Sequence, residues 1–77
     1  MAAWRTVRIE IVEGNTIELK YAEFGKGRAK LRKWEIFRNG VKAGYAVNER
    51  DADVNFNRVS QGYMLNPETG KYEAVGE

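Results

Sequence analysis

Residues 30–47 read KLRKWEIFRNGVKAGYAV, and this run decides the fold. Asn39-Gly40 stands between two segments whose apolar residues recur at alternate positions. A two-residue type I′ turn needs positive φ at both central positions, which asparagine and glycine tolerate best. With these two residues as the loop, Arg38 pairs with Val41, Ile36 with Ala43 and Trp34 with Tyr45. The register collects Trp34, Ile36, Val41, Ala43, Tyr45 and Val47 on one face. Lys33, Glu35, Phe37, Lys42, Gly44 and Ala46 fall on the other. A slip of one residue would scramble both faces, so pattern and turn specify the same pairing.

Upstream of this hairpin, Val7, Ile9 and Ile11 alternate with Thr6, Arg8 and Glu10. Beyond Glu13-Gly14-Asn15 a second run alternates Ile17, Leu19 and Tyr21 with polar residues. A three-residue loop over residues 13–15, with Asn15 in the left-handed position, sets Ile11 against Ile17, Ile9 against Leu19 and Val7 against Tyr21. A two-residue Gly-Asn loop would instead oppose Ile11 and Glu18. The three-residue reading therefore predicts a buried face made of both runs. On its outer face Arg8 comes opposite Lys20 and Glu10 opposite Glu18, with the opposite charges meeting on the diagonals. Trp4 comes opposite Phe24 on the same side.

Downstream, Ala52, Phe56, Val59 and Tyr63 follow a helical stripe. Asn48 with Asp51 three residues later forms a capping pattern, and Gly62 suits a helix end. The stretch Val54-Asn55-Phe56-Asn57 also alternates as a strand would, but the longer stripe favours a helix. Asn66-Pro67-Glu68-Thr69-Gly70 then separates residues 63–65 from 71–75. Proline early in the turn and glycine at its end predict a third hairpin, with Leu65 opposite Tyr72 and Tyr63 opposite Ala74. The fold class is mainly β: a small antiparallel sheet or barrel built from three successive hairpins, with one short helix around residues 49–60. Seventy-seven residues allow a single small domain, residues 1–77.

The chain contains no histidine and no cysteine. That removes the commonest general base, the commonest metal ligand and all thiolate chemistry. The single serine, Ser60, has no partner base, and Asp51 with Asp53 does not match a calcium loop. A non-catalytic protein without cofactor or metal is the expectation. No apolar run approaches the length of a membrane span, and the absence of cysteine suits the cytoplasm.

Charge is unevenly placed. Residues 26–42 hold seven cations (Lys26, Arg28, Lys30, Arg32, Lys33, Arg38 and Lys42) against the single acid Glu35. From residue 43 onward three cations face six acids, and the whole chain carries only +2. Cations neutralise phosphates, and aromatic faces stack on unpaired bases. The central hairpin offers both, which points to nucleic acid, single-stranded or structured and read without much sequence preference. The expected contact residues are Lys26, Arg28, Lys30, Arg32, Lys33, Phe37 and Lys42, with Trp4 and Phe24 as a second aromatic platform. A basic strip also serves to protect a sheet edge. The competing expectation is therefore an interaction module or homodimer that docks the same surface on an acidic protein partner.

Overall fold

The structure, a computed structural model, describes residues 3–25, 27–28 and 30–74. Lys26 and Val75 lie outside them. β1 (Arg5–Val12), β2 (Asn15–Phe24), β3 (Leu31–Arg38) and β4 (Val41–Ala46) form one antiparallel sheet in sequence order. The sheet is open, with β1 and β4 at its edges. α1 (Glu49–Ser60) packs across β4, β3 and β2. β5 (Tyr63–Asn66) and β6 (Lys71–Ala74) form a separate hairpin beside α1 and β4.

Asn39 at φ 52° and Gly40 at φ 82° make the expected left-handed turn between β3 and β4. Asparagine does more here than tolerate the backbone. Its Oδ1 accepts from Thr16 N at 2.9 Å, its Nδ2 donates to Asn15 Oδ1 at 2.9 Å, and its own N–H donates to Thr16 O at 2.8 Å. The turn is thereby tied to the start of β2. α1 begins at the expected cap, where Asn48 Oδ1 accepts from Asp51 N at 2.8 Å. It ends as Gly62 (φ 100°) donates its N–H to Val59 O. Ala52, Phe56 and Val59 are the buried helix residues, as the stripe predicts, whereas Tyr63 already belongs to β5. The third hairpin pairs Leu65 with Tyr72 and Tyr63 with Ala74, also as read.

Two registers depart from the sequence reading. The first turn is Glu13 (φ 52°) and Gly14 (φ 80°), a two-residue loop, with Val12 opposite Asn15. This choice sets Ile11 against Thr16, Ile9 against Glu18, Glu10 against Ile17 and Arg8 against Leu19. Ile17 and Leu19 are buried under α1, but Val7, Ile9 and Ile11 are exposed. The alternation in β1 is real and its sense is inverted over residues 8–12, while a bulge at Val7 shifts the phase again so that Thr6 comes opposite Lys20 and Arg5 opposite Tyr21. The predicted charge quartet is dissolved as well, because Arg8 and Glu10 now lie on the helix side while Glu18 and Lys20 lie on the other. The physical reason is that α1 covers β2 to β4 and leaves β1 at the margin. Long Arg8 reaches inward there, its guanidinium carbon 4.1 Å from the Phe56 ring centroid, where no branched apolar residue is needed.

The second departure is a bulge in β4. Phe37 pairs with Lys42 but Ile36 pairs with Gly44, so Ala43 is the extra residue and the phase shifts. Trp34, Ile36 and Ala43 are buried as expected, and Ala46 joins them. Tyr45, Val41 and Val47 turn out to be exposed. Small residues at Ala43, Gly44 and Ala46 let α1 and Tyr72 approach the strand closely. The resulting core is Ile17, Leu19, Trp34, Ile36, Ala43, Ala46, Ala52, Phe56 and Val59.

Candidate functional site

β1 pairs with β2 only as far as Tyr21, and β4 pairs with β3 only as far as Trp34. Beyond that point the ladder continues through Ala22 with Lys33, Glu23 with Arg32 and Phe24 with Leu31. Among the described residues these pairs have no strand on either side. The β2–β3 hairpin therefore ends in a two-stranded arm, closed by the loop that holds Arg28 and Lys30. Four of the predicted contact residues (Arg28, Lys30, Arg32 and Lys33) lie on this arm, all exposed. Glu23 is its only acid.

Strand alternation divides the arm's cations between two faces. Lys33 is on the open face of the sheet with Phe24, its ammonium 5.9 Å from the ring centroid. Trp4 meets Phe24 edge to face at 5.7 Å, so the two rings predicted as neighbours do pack together. Arg32 lies on the helix side, 5.8 Å from the Trp34 ring, and Arg5 beside it lies 5.4 Å from Tyr21. Tyr21 and Trp34 themselves pack at 4.9 Å, closing the core at the root of the arm. The Tyr21 hydroxyl is held above its ordinary pKa, first by desolvation and then by a hydrogen bond to Glu23. Among the described residues no ion pair holds Arg28, Lys30, Arg32 or Lys33.

Phe37 occupies the open face, as expected, but at a distance from the arm. It lies opposite Glu18 on β2 and Lys42 on β4 and is half-buried, with the Lys20 ammonium 5.0 Å from its centroid. Lys42 is bound to Glu35 at 2.9 Å, and Glu35 stands between Phe37 and Lys33 on β3. The open face is therefore a mixture of lysines, carboxylates and rings rather than one cationic strip. Glu18 is also engaged, accepting a hydrogen bond from the Thr6 hydroxyl. The sequence reading missed Arg5 and Lys20. Alternation about Tyr21 and Phe37 was the signal that could have found them, once the first register is right.

No helix among the described residues is long and apolar enough to cross a membrane. Comparison of the chain with models of known families, with curated proteins and with solved structures finds no match.

Proposed function

We propose that this protein binds nucleic acid through the two-stranded arm, without catalysis and with little sequence preference. The observation that carries the reading is the set of four exposed arm cations with no ion-pair partner among the described residues. Cations already engaged by carboxylates would have to break those contacts before meeting phosphate. Unpaired ones release condensed counterions from the nucleic acid at no such cost. Arg32 and Arg5 on one face and Lys33 on the other allow the arm to be straddled by backbone phosphates. Arg28 and Lys30 at its tip extend the contact.

The aromatic residues support single strands or unpaired regions as the preferred form. Trp4 and Phe24 sit toward the loop end of the arm on the open face, and Phe37 lies on the same face beyond the arm's root. Stacking on such rings is tolerant of sequence because every base has a π face. The arm's polar side chains are mainly cations without partners, so recognition is led by phosphate charge. The intact chain, isotopically labelled and titrated with a mixed-sequence single-stranded oligonucleotide at low salt, tests this. The expected result is saturable amide shifts concentrated in residues 22–33 and around Arg5. Shifts confined to the β5–β6 hairpin, or none at all, would refute the reading.

A further inference from the structure

The open edge of the sheet carries a second feature that nucleic-acid binding does not use. β1 has the sequence RTVRIEIV, with neither lysine nor proline; a bulge at Val7 breaks the edge there, and residues 8–12 beyond it keep an unbroken register with β2. Ile9 is 58% exposed and Ile11 is 75% exposed, both on the open face. Val12 and Asn15 flank a two-residue turn and so hydrogen-bond to each other. Alternation then turns the peptide groups of Glu10 and Arg8 toward β2 and leaves those of Ile9 and Ile11 pointing outward. Among the described residues nothing pairs with them.

The geometry points to a second copy of this chain as the occupant, joined through antiparallel β1–β1 pairing on a two-fold axis at Ile9. The argument is one of charge and register. A two-fold perpendicular to the sheet must bring together residues of the same face. Centred on Ile9, it places Arg8 opposite Glu10 of the second copy, and Glu10 opposite the second copy's Arg8. Ile9 meets its own equivalent, and their outward N–H and C=O groups exchange hydrogen bonds. Centred on Glu10, the axis would instead oppose two like charges. Centred on Ile11, it would leave Arg8 facing a turn glycine.

Arg8 is already held for this role. It lies over Phe56 and bridges to Glu10 at 2.6 Å, with Asp53 at 3.9 Å. Pairing completes an alternating square of two arginines and two glutamates. The product is an eight-stranded sheet whose open faces lie on one side and whose basic arms point to opposite ends. The interface is isologous, as the commonest closed dimers are.

Sedimentation equilibrium of the intact chain without nucleic acid tests the pairing apart from the binding reading. The expected species approaches twice the 8.8 kDa chain mass as concentration rises. Ile9→Lys should remain monomeric, with its circular dichroism unchanged. Glu10→Arg and Arg8→Glu should each be monomeric alone, and an equimolar mixture of the two should dimerise, because only the mixture restores opposite charges. A wild type that stays monomeric at millimolar concentration would overturn the proposal. So would a dimer indifferent to Ile9→Lys, or a mixture of the charge variants that stays monomeric while both remain folded.

Discussion

Gly44 offers the sharpest test of how the third hairpin is attached to the sheet. It is buried in β4, and a Cβ built on it would stand 2.9 Å from Tyr72 Cε2 and nearer still to the Tyr72 hydroxyl. Ordinary contact begins at 3.4 Å, so the ring must retreat by about 0.5 Å or more. It is not free to do so. Tyr45 N donates to the Tyr72 hydroxyl at 3.2 Å, Tyr45 O lies 3.4 Å from it, and Arg58 sits 5.6 Å from the ring centroid. Gly44→Ala should therefore cost about 1–3 kcal/mol through overpacking, with roughly a further 1 kcal/mol if the hydrogen bond is lost. For a chain of this size each kcal/mol lowers Tm by about 4–8 °C. The assay is thermal and denaturant unfolding of a double-mutant cycle. In a Tyr72→Ala background the same Gly44→Ala change should be close to neutral, since the clashing ring is gone. Full loss of stability in both backgrounds, or none in either, would refute the contact as the cause.

Other consequences of the fold are as direct. Leu19→Ala should cost about 2–5 kcal/mol in chemical denaturation, while Ile9→Ala at dilute concentration should cost under about 1 kcal/mol. The reverse order would restore the three-residue first turn. Burial holds the Tyr72 hydroxyl above its ordinary pKa, and this outweighs the lowering by the Tyr45 backbone and Arg58. The folded state thus retains that proton after the unfolded chain has lost it. Stability contributed by Tyr72 is present below the ordinary tyrosine pKa of about 10 and is lost as pH rises through the higher folded value. Alkaline unfolding of Tyr72→Phe compared with wild type should show a weaker decline above pH 10, and parallel curves would contradict the assignment.

Much of this architecture was legible from local chemistry. Asn39-Gly40, the Asn48 cap, the stripe of Ala52, Phe56 and Val59, and Pro67 with Gly70 each combine a strict backbone requirement with a matching side-chain pattern. The first hairpin was misread because apolar alternation says which residues share a face and not which face is covered. Matching Ile9 to Leu19 is reasonable only if both strands lie under the helix. β1 lies at the margin, where Arg8 can cover Phe56 and the isoleucines can point outward. The β4 bulge leaves no sequence signal beyond the small residues Ala43, Gly44 and Ala46, which simple alternation divides between two faces. For the same reason the sequence shows the arm as a basic run but not as a two-stranded projection. Its isolation depends on where β1 and β4 stop pairing. Phe37 was placed on the correct face, yet its separation from Lys33 by the engaged Glu35 needed three strands in register.

The claim that the arm is the binding surface is tested most directly by the salt dependence of oligonucleotide affinity in wild type and the triple variant Arg28→Glu, Lys30→Glu and Lys33→Glu. These three residues are exposed and unpaired among the described residues, so the variant should fold and melt as wild type does. If each cation contacts one phosphate on a single strand, the slope of log affinity against log salt should fall by about 0.7 per lost contact, roughly 2 in all. Affinity should weaken for every sequence alike. A triple variant with the wild-type slope and affinity, or a wild type that binds no oligonucleotide at low salt, would contradict the account.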